Sequence, residues 1–136
     1  MKVTDDNMCF ACGIDNPISL KLDFELKDKN TAETTFNPKN VHQGYGGIMH
    51  GGLVTTLLDE AMAKVLELNK IVAVTGEINV RFKKAVKIEQ ELRIRGELID
   101  SYKDKLYFTE AYLYGNNNEL LASAEAKFMK VDFEKK

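Results

Sequence analysis

His50, Gly51 and Gly52 stand together and Asp59 follows nine positions after the histidine, in the stretch IMHGGLVTTLLDEAMAKVL (residues 48–66). A glycine inside a helix costs about 1 kcal/mol relative to alanine, so a helix that opens on two of them has another use for bare backbone. The first N–H groups of a helix have no intrahelical partner and lie at the positive end of its dipole. With no side chain in the way, such donors suit an anion, or an oxygen that becomes one during a reaction: an oxyanion hole. An acid among apolar side chains is harder to ionise than an exposed one, which makes its carboxylate a better base. Each feature also has a plainer reading. Glycines permit a tight turn or close packing, and an acid at the edge of an apolar stripe can simply bond water or a threonine.

The helix that carries these groups is legible on its wheel. Leu53, Val54, Leu57, Leu58, Ala61, Met62 and Val65 form one broad apolar stripe. Glu60, Lys64 and Glu67 fall on the opposite, solvated side, where Glu60 and Lys64 are spaced to pair. Asp59 lies at the margin, beside Thr55, Met62, Ala63 and Leu66. Before the helix, Leu20, Leu22, Phe24 and Leu26 alternate with charged residues, the period of a strand, and DKN turns into a second strand, TAETTF. Residues 1–18 look irregular, with a turn at DNP (15–17). A glycine-rich loop, residues 37–49, leads into the helix. Four strand-like segments follow it, at 71–84, 91–100, 105–115 and 119–131, separated by turns at SYKD and NNN. Short turns between successive strands require antiparallel pairing. The expected layout is α+β, one antiparallel sheet of five to six strands against one long helix, in a single domain spanning 1–136. One helix covers part of such a sheet, and a second copy of the chain is expected to cover more.

The 136 residues carry a net charge of −2, with the charges dispersed. That balance gives no footprint for nucleic acid or an anionic membrane surface, and no apolar run approaches the ~20 residues of a membrane span. The opening MKVTDDNMCF lacks the apolar core of a signal peptide, so the expected location is the cytoplasm, with Cys9 and Cys12 reduced.

Several blocks in one order carry a resemblance. GIMHGGLVTTLLDEAMA resembles the signature of the hotdog-fold acyl-CoA thioesterases of the phenylacetate-pathway (PaaI-like) group, with His-Gly-Gly opening the central helix and an acid nine residues after the histidine. CFACGIDNPISLKLDF, VHQGYGGIMHGG and VTGEINVRFKKAV are similar to that family's N-terminal segment, its approach loop and the strand after its helix. Ala85 stands where the family usually has proline and Ser19 where it commonly has glycine, departures that bear on turn geometry. The resemblance implies a hotdog fold, a homodimer or dimer of dimers, and hydrolysis of an acyl-CoA whose acyl group is aryl or short to medium chain. Coenzyme A is then part of the substrate, and no cofactor is called for. It also implies Gly51 in the oxyanion hole, Asp59 as nucleophile or general base, and Thr75 positioning the attacking water. Gln43 is the nearest match, offset by one, to an amide that some relatives carry before His-Gly-Gly.

The chemistry is consistent with the residues present. There is no Gly-x-Ser-x-Gly elbow, and neither cysteine has an evident base partner. Gly51 and Asp59 are eight residues apart on one helix, roughly 12 Å along its axis, so a carbonyl held about 3 Å from the Gly51 amide is beyond reach of the same chain's Asp59. If both act, two chains share the site. Gly52 would add a second donor, and His50 suits helix entry better than thioester binding. His42 suits loop architecture. Thr75, Glu77, Asn79 and Arg81 share one face of their strand by alternation, which would put Thr75 and Asn79 beside Asp59. Arg81, Lys83 and Lys84 are candidates for the coenzyme A phosphates. Cys9 and Cys12 form Cys-x-x-Cys, but a zinc site needs four ligands and the sequence offers no second pair, so no metal is expected. The rival readings are a non-catalytic acyl-CoA-binding hotdog module and a hydratase with a cross-chain Asp–His pair.

Overall fold

The computed structural model describes residues 1–134. One helix, α1 (Gly51–Glu67), lies against a six-stranded sheet of β2 (Glu25–Asp28), β3 (Thr31–Phe36), β4 (Ala73–Phe82), β5 (Leu92–Tyr102), β6 (Leu106–Tyr114) and β7 (Leu120–Lys130). Every pairing in that sheet is antiparallel and the spatial order is β2-β3-β5-β6-β7-β4. The helix therefore crosses the sheet and delivers the next strand to the far edge, beside the last long one. A separate parallel pair joins β1 (Lys2–Val3) to β8 (Asp132–Phe133).

The apolar stripe of α1 is the core. Val54, Leu57, Leu58, Ala61, Met62, Val65 and Leu66 are buried against a sheet whose inward face mixes large side chains, Leu92, Ile94, Leu113 and Phe128, with small ones, Ala111 on β6 and Ala122, Ala124 and Ala126 on β7. The alanines leave room for the helix to pack close to β6 and β7. The helix comes close at Gly96 of β5, where a Cβ would lie 2.1 Å from the Ala61 carbonyl oxygen. Only glycine leaves room there.

The strand expected from Leu20 begins later, at Glu25. Leu20, Leu22 and Phe24 are buried in alternation as expected, but their backbone does not join the sheet. The Leu20 and Leu22 N–H groups donate instead to the Phe10 and Ala11 carbonyls, at 3.0 Å each. Lys21 between them has a left-handed φ of 56°, which breaks an extended run. The Ser19 hydroxyl accepts the Lys21 N–H and the Lys21 ammonium donates to the Gly13 and Ile14 carbonyls. The irregular N-terminal segment is thereby fastened to the start of the sheet.

Candidate active site

His50 caps α1. Its Nδ1 accepts the Gly52 N–H at 2.9 Å, and its carbonyl accepts the N–H groups of Leu53 and Val54. Gly52 is thus a support for the cap and not a second free donor, since a Cβ there would sit 3.1 Å from the imidazole. The Gly51 N–H alone in this turn makes no hydrogen bond among the described residues. A Cβ on Gly51 would meet only the Phe82 ring, at an ordinary 3.7 Å. Packing within the chain therefore does not demand glycine at 51.

That amide opens onto a cleft of about 590 Å³ lined by Gly44, Tyr45, His50, Phe82, Lys83 and Lys84 among others. Lys83 and Lys84 are exposed at its mouth, Lys84 in contact with Glu119 at 3.3 Å. Gln43 does not line the cleft. Its side-chain oxygen accepts the Gly47 N–H, which holds the loop in shape. His42 is likewise architectural, its Nδ1 accepting the Lys39 N–H at 2.8 Å.

Two turns along the helix, half-buried Asp59 accepts a 2.7 Å hydrogen bond from the Thr75 hydroxyl of β4. Burial raises the Asp59 carboxyl above the ordinary aspartate range, and the Thr75 bond opposes that rise in part. Asp59 does not line the Gly51 cleft, as the helical rise requires.

Asn79 is not beside Asp59. The register of β4 against β7 slips between Thr75 and Glu77, a bulge at Gly76 that breaks the alternation. Thr75 lies opposite buried Phe128 and so faces the helix; beyond the bulge Ile78, Val80 and Phe82, opposite Ala126, Ala124 and Ala122, take that face. Asn79 and Arg81 are turned to the outer side, where with Glu110, Tyr112 and Ser123 they line a separate groove. Arg81 is thereby parted from the Gly51 cleft, while Lys83 borders both hollows.

Glu60 is not a solvated residue. It is half-buried, its Oε2 is closed off from solvent without a geometric hydrogen-bond partner among the described residues, and Lys64 pairs with Glu67 at 3.0 Å in its place. Burial raises the Glu60 carboxyl, with the Cys12 contact acting the other way. A carboxylate oxygen of Glu60 and the sulfurs of Cys9 and Cys12 lie within 4.8 Å of one another, a neighbour that the spacing of the cysteines could not reveal.

Residues 46–109 match the family model of the thioesterase superfamily. The chain has the hotdog fold. The hotdog architecture is shared with the Escherichia coli PaaI protein from the phenylacetic acid degradation operon, at 16% identity over 85% of this chain and 84% of that one, TM-score 0.77. A hypothetical thioesterase of Streptococcus pneumoniae TIGR4 with coenzyme A superposes at 19% identity over 84% of this chain and 91% of that one, TM-score 0.76. A Streptococcus mutans UA159 protein bound to acetyl CoA does so at 20% identity, with the same coverages and TM-score. No curated protein matches the chain. No helix among the described residues is long and apolar enough to cross a membrane.

Proposed function

We propose that this hotdog protein hydrolyses an acyl-CoA to free acid and coenzyme A at a site shared by two chains. The observation that carries the reading is the division of labour along α1: an unpartnered, unhindered Gly51 N–H at its start, and an Asp59–Thr75 pair about 12 Å further on. An antiparallel α1 from a second copy would bring the partner's pair to this Gly51. The sheet offers a place for that copy. β4 is its last strand, ten residues long and, among the described residues, paired with β7 alone, and a long unpaired edge is a template for another chain.

Thr75 donates its proton to Asp59 Oδ1, which leaves its own lone pairs and Asp59 Oδ2 to hold a water between them. Asp59 takes a proton as that water attacks the thioester carbon. The carbonyl oxygen gains negative charge against the Gly51 amide and the helix dipole. Collapse of the adduct breaks the carbon–sulfur bond, and the proton returns to the departing thiolate. The exposed lysines at the cleft mouth, Lys83 and Lys84, are placed to meet the phosphates of coenzyme A, and the apolar wall of Val54, Met49 and Phe82 suits an aryl or short to medium acyl group. Two solved variants of the Streptococcus pneumoniae thioesterase replace an aspartate and a threonine sixteen positions apart, the separation of Asp59 and Thr75 here. Coenzyme A and acetyl CoA in similar structures point to the same substrate class. The hydrolysis asks for no cofactor and suits a cytoplasmic setting.

Release of free thiol from a panel of acyl-CoAs tests the reading. Turnover by the wild type that is lost in Asp59→Ala supports it. Equal turnover in both removes the aspartate from the mechanism, and tight acyl-CoA binding without turnover in either makes the protein a carrier or sensor.

A further inference from the structure

The N-terminal segment and the solvent-remote flank of α1 meet at three side chains with no part in the hydrolysis. Cys9 and Cys12 are carried on a turn closed by the Gly13 N–H, which donates to the Cys9 carbonyl at 2.7 Å. A Cβ on Gly13 would lie 2.4 Å from the Cys9 nitrogen, so the chain folds back this tightly only because residue 13 is glycine. The turn sets both thiols against α1, where Glu60 supplies a carboxylate oxygen. All three ligand atoms lie within 4.8 Å of one another. Zinc–sulfur bonds of about 2.3 Å in a tetrahedron put the sulfurs roughly 3.8 Å apart, a shift of no more than about 1 Å from the present arrangement.

We infer that Cys9, Cys12 and Glu60 form a binding site for a divalent zinc-type ion that clips the N-terminal segment to α1. Two thiolates select a borderline-soft ion over magnesium or calcium, and the three-ligand set leaves one position for water. Glu60 Oε2, shielded from solvent with the weakly donating Cys12 thiol beside its carboxyl and no stronger donor among the described residues, separates this site from a mere pair of cysteines, because a buried carboxylate oxygen so poorly supplied is uncommon and a cation supplies what it lacks. Uptake of the ion releases the two thiol protons, leaving a complex of net charge −1, so affinity weakens as pH falls. Lys64, the nearby cation, is already engaged by Glu67. The clip does not depend on the thioesterase reading.

The test uses the full chain, stripped with a chelator under reducing conditions and titrated with zinc and then with cobalt. Expected are one ion per chain, a cobalt spectrum showing thiolate charge transfer with tetrahedral ligand-field bands, and loss of both in Cys9→Ser and Cys12→Ser. Glu60→Gln should weaken zinc binding by more than the roughly 10- to 100-fold that follows loss of an outer-shell partner. Glu60→Asp, which keeps the carboxylate, should weaken it less, and circular dichroism checks that each variant is folded. Failure of the wild type to take up zinc overturns the inference. So does half an ion per chain, which would mean thiolates pooled by two copies, or a Glu60→Gln protein that binds as tightly as the wild type.

Discussion

Asp59 is half-buried and bonded to the Thr75 hydroxyl, an environment that suits the base of the proposed hydrolysis. Burial raises its carboxyl above the ordinary value, so kcat/KM should fall as pH drops through that raised value, while Asp59→Asn should lose at least about 100-fold in kcat and with it the acidic limb. The same displacement has a cost to folding. A carboxyl whose native pKa exceeds its unfolded one, about 3.9, gives stability that is complete below the unfolded value and lost as pH rises through the native one. Asp59→Asn should therefore melt higher than the wild type at neutral pH, with the gain vanishing in acid, as calorimetry at several pH values would show. Thr75→Ala removes the bond that holds the Asp59 carboxyl down. Its pH–rate profile should shift to higher pH and kcat should fall about tenfold or more. Gly51→Ala has room within the protomer and gains up to about 1 kcal/mol of helix propensity, yet should lose about 100-fold in thiol release by crowding the amide. The placement of Gly51 at a helix start and of Asp59 beside Thr75 was legible because each depends on its own helix or strand and on the motif pattern. Glu60 was not: a helical wheel shows which residues share a side, but not that residues 9–13 fold back to cover that side.

Among the elements, the helix and the four strands after it follow from their periods, and their boundaries shift by a few residues only. Two features lay outside that reach. Alternation along β4 is interrupted at Gly76, where one extra residue reverses the side that Asn79 and Arg81 present; period-two reasoning assumes a regular pleat and has no means of registering a bulge. Asn79→Ala should accordingly leave thiol release unchanged, measured beside Thr75→Ala on the same strand. The buried alternation of Leu20, Leu22 and Phe24 was correctly seen as inward-facing, but the strand assignment failed because the partners of that backbone are the loop carbonyls of Phe10 and Ala11. Gly96 marks the contact on which the helix height depends. Gly96→Ala forces a methyl onto the Ala61 carbonyl and should cost about 1–3 kcal/mol or more, read as a lower denaturant midpoint with an unchanged slope.

For the molecule as a whole, the proposed mechanism makes assembly a requirement, because Gly51 and Asp59 are separated along one helix. Mixed chains carrying Asp59→Asn or Gly51→Val should regain activity in heterodimers, in which one of the two sites combines an intact glycine with an intact aspartate. Mixtures no more active than the separate variants, after subunit exchange has been verified, would refute a shared site. The sheet's two margins differ in a way that limits what such joining can build. β4 offers ten residues of open edge, whereas the opposite margin, β2, is four residues long and reads Glu-Leu-Lys-Asp. Once two copies meet through β4, what remains outward is a short, ionic border unsuited to recruiting a third. On the proposed pairing, strand addition would double this sheet and then meet a margin that disfavours fibre growth.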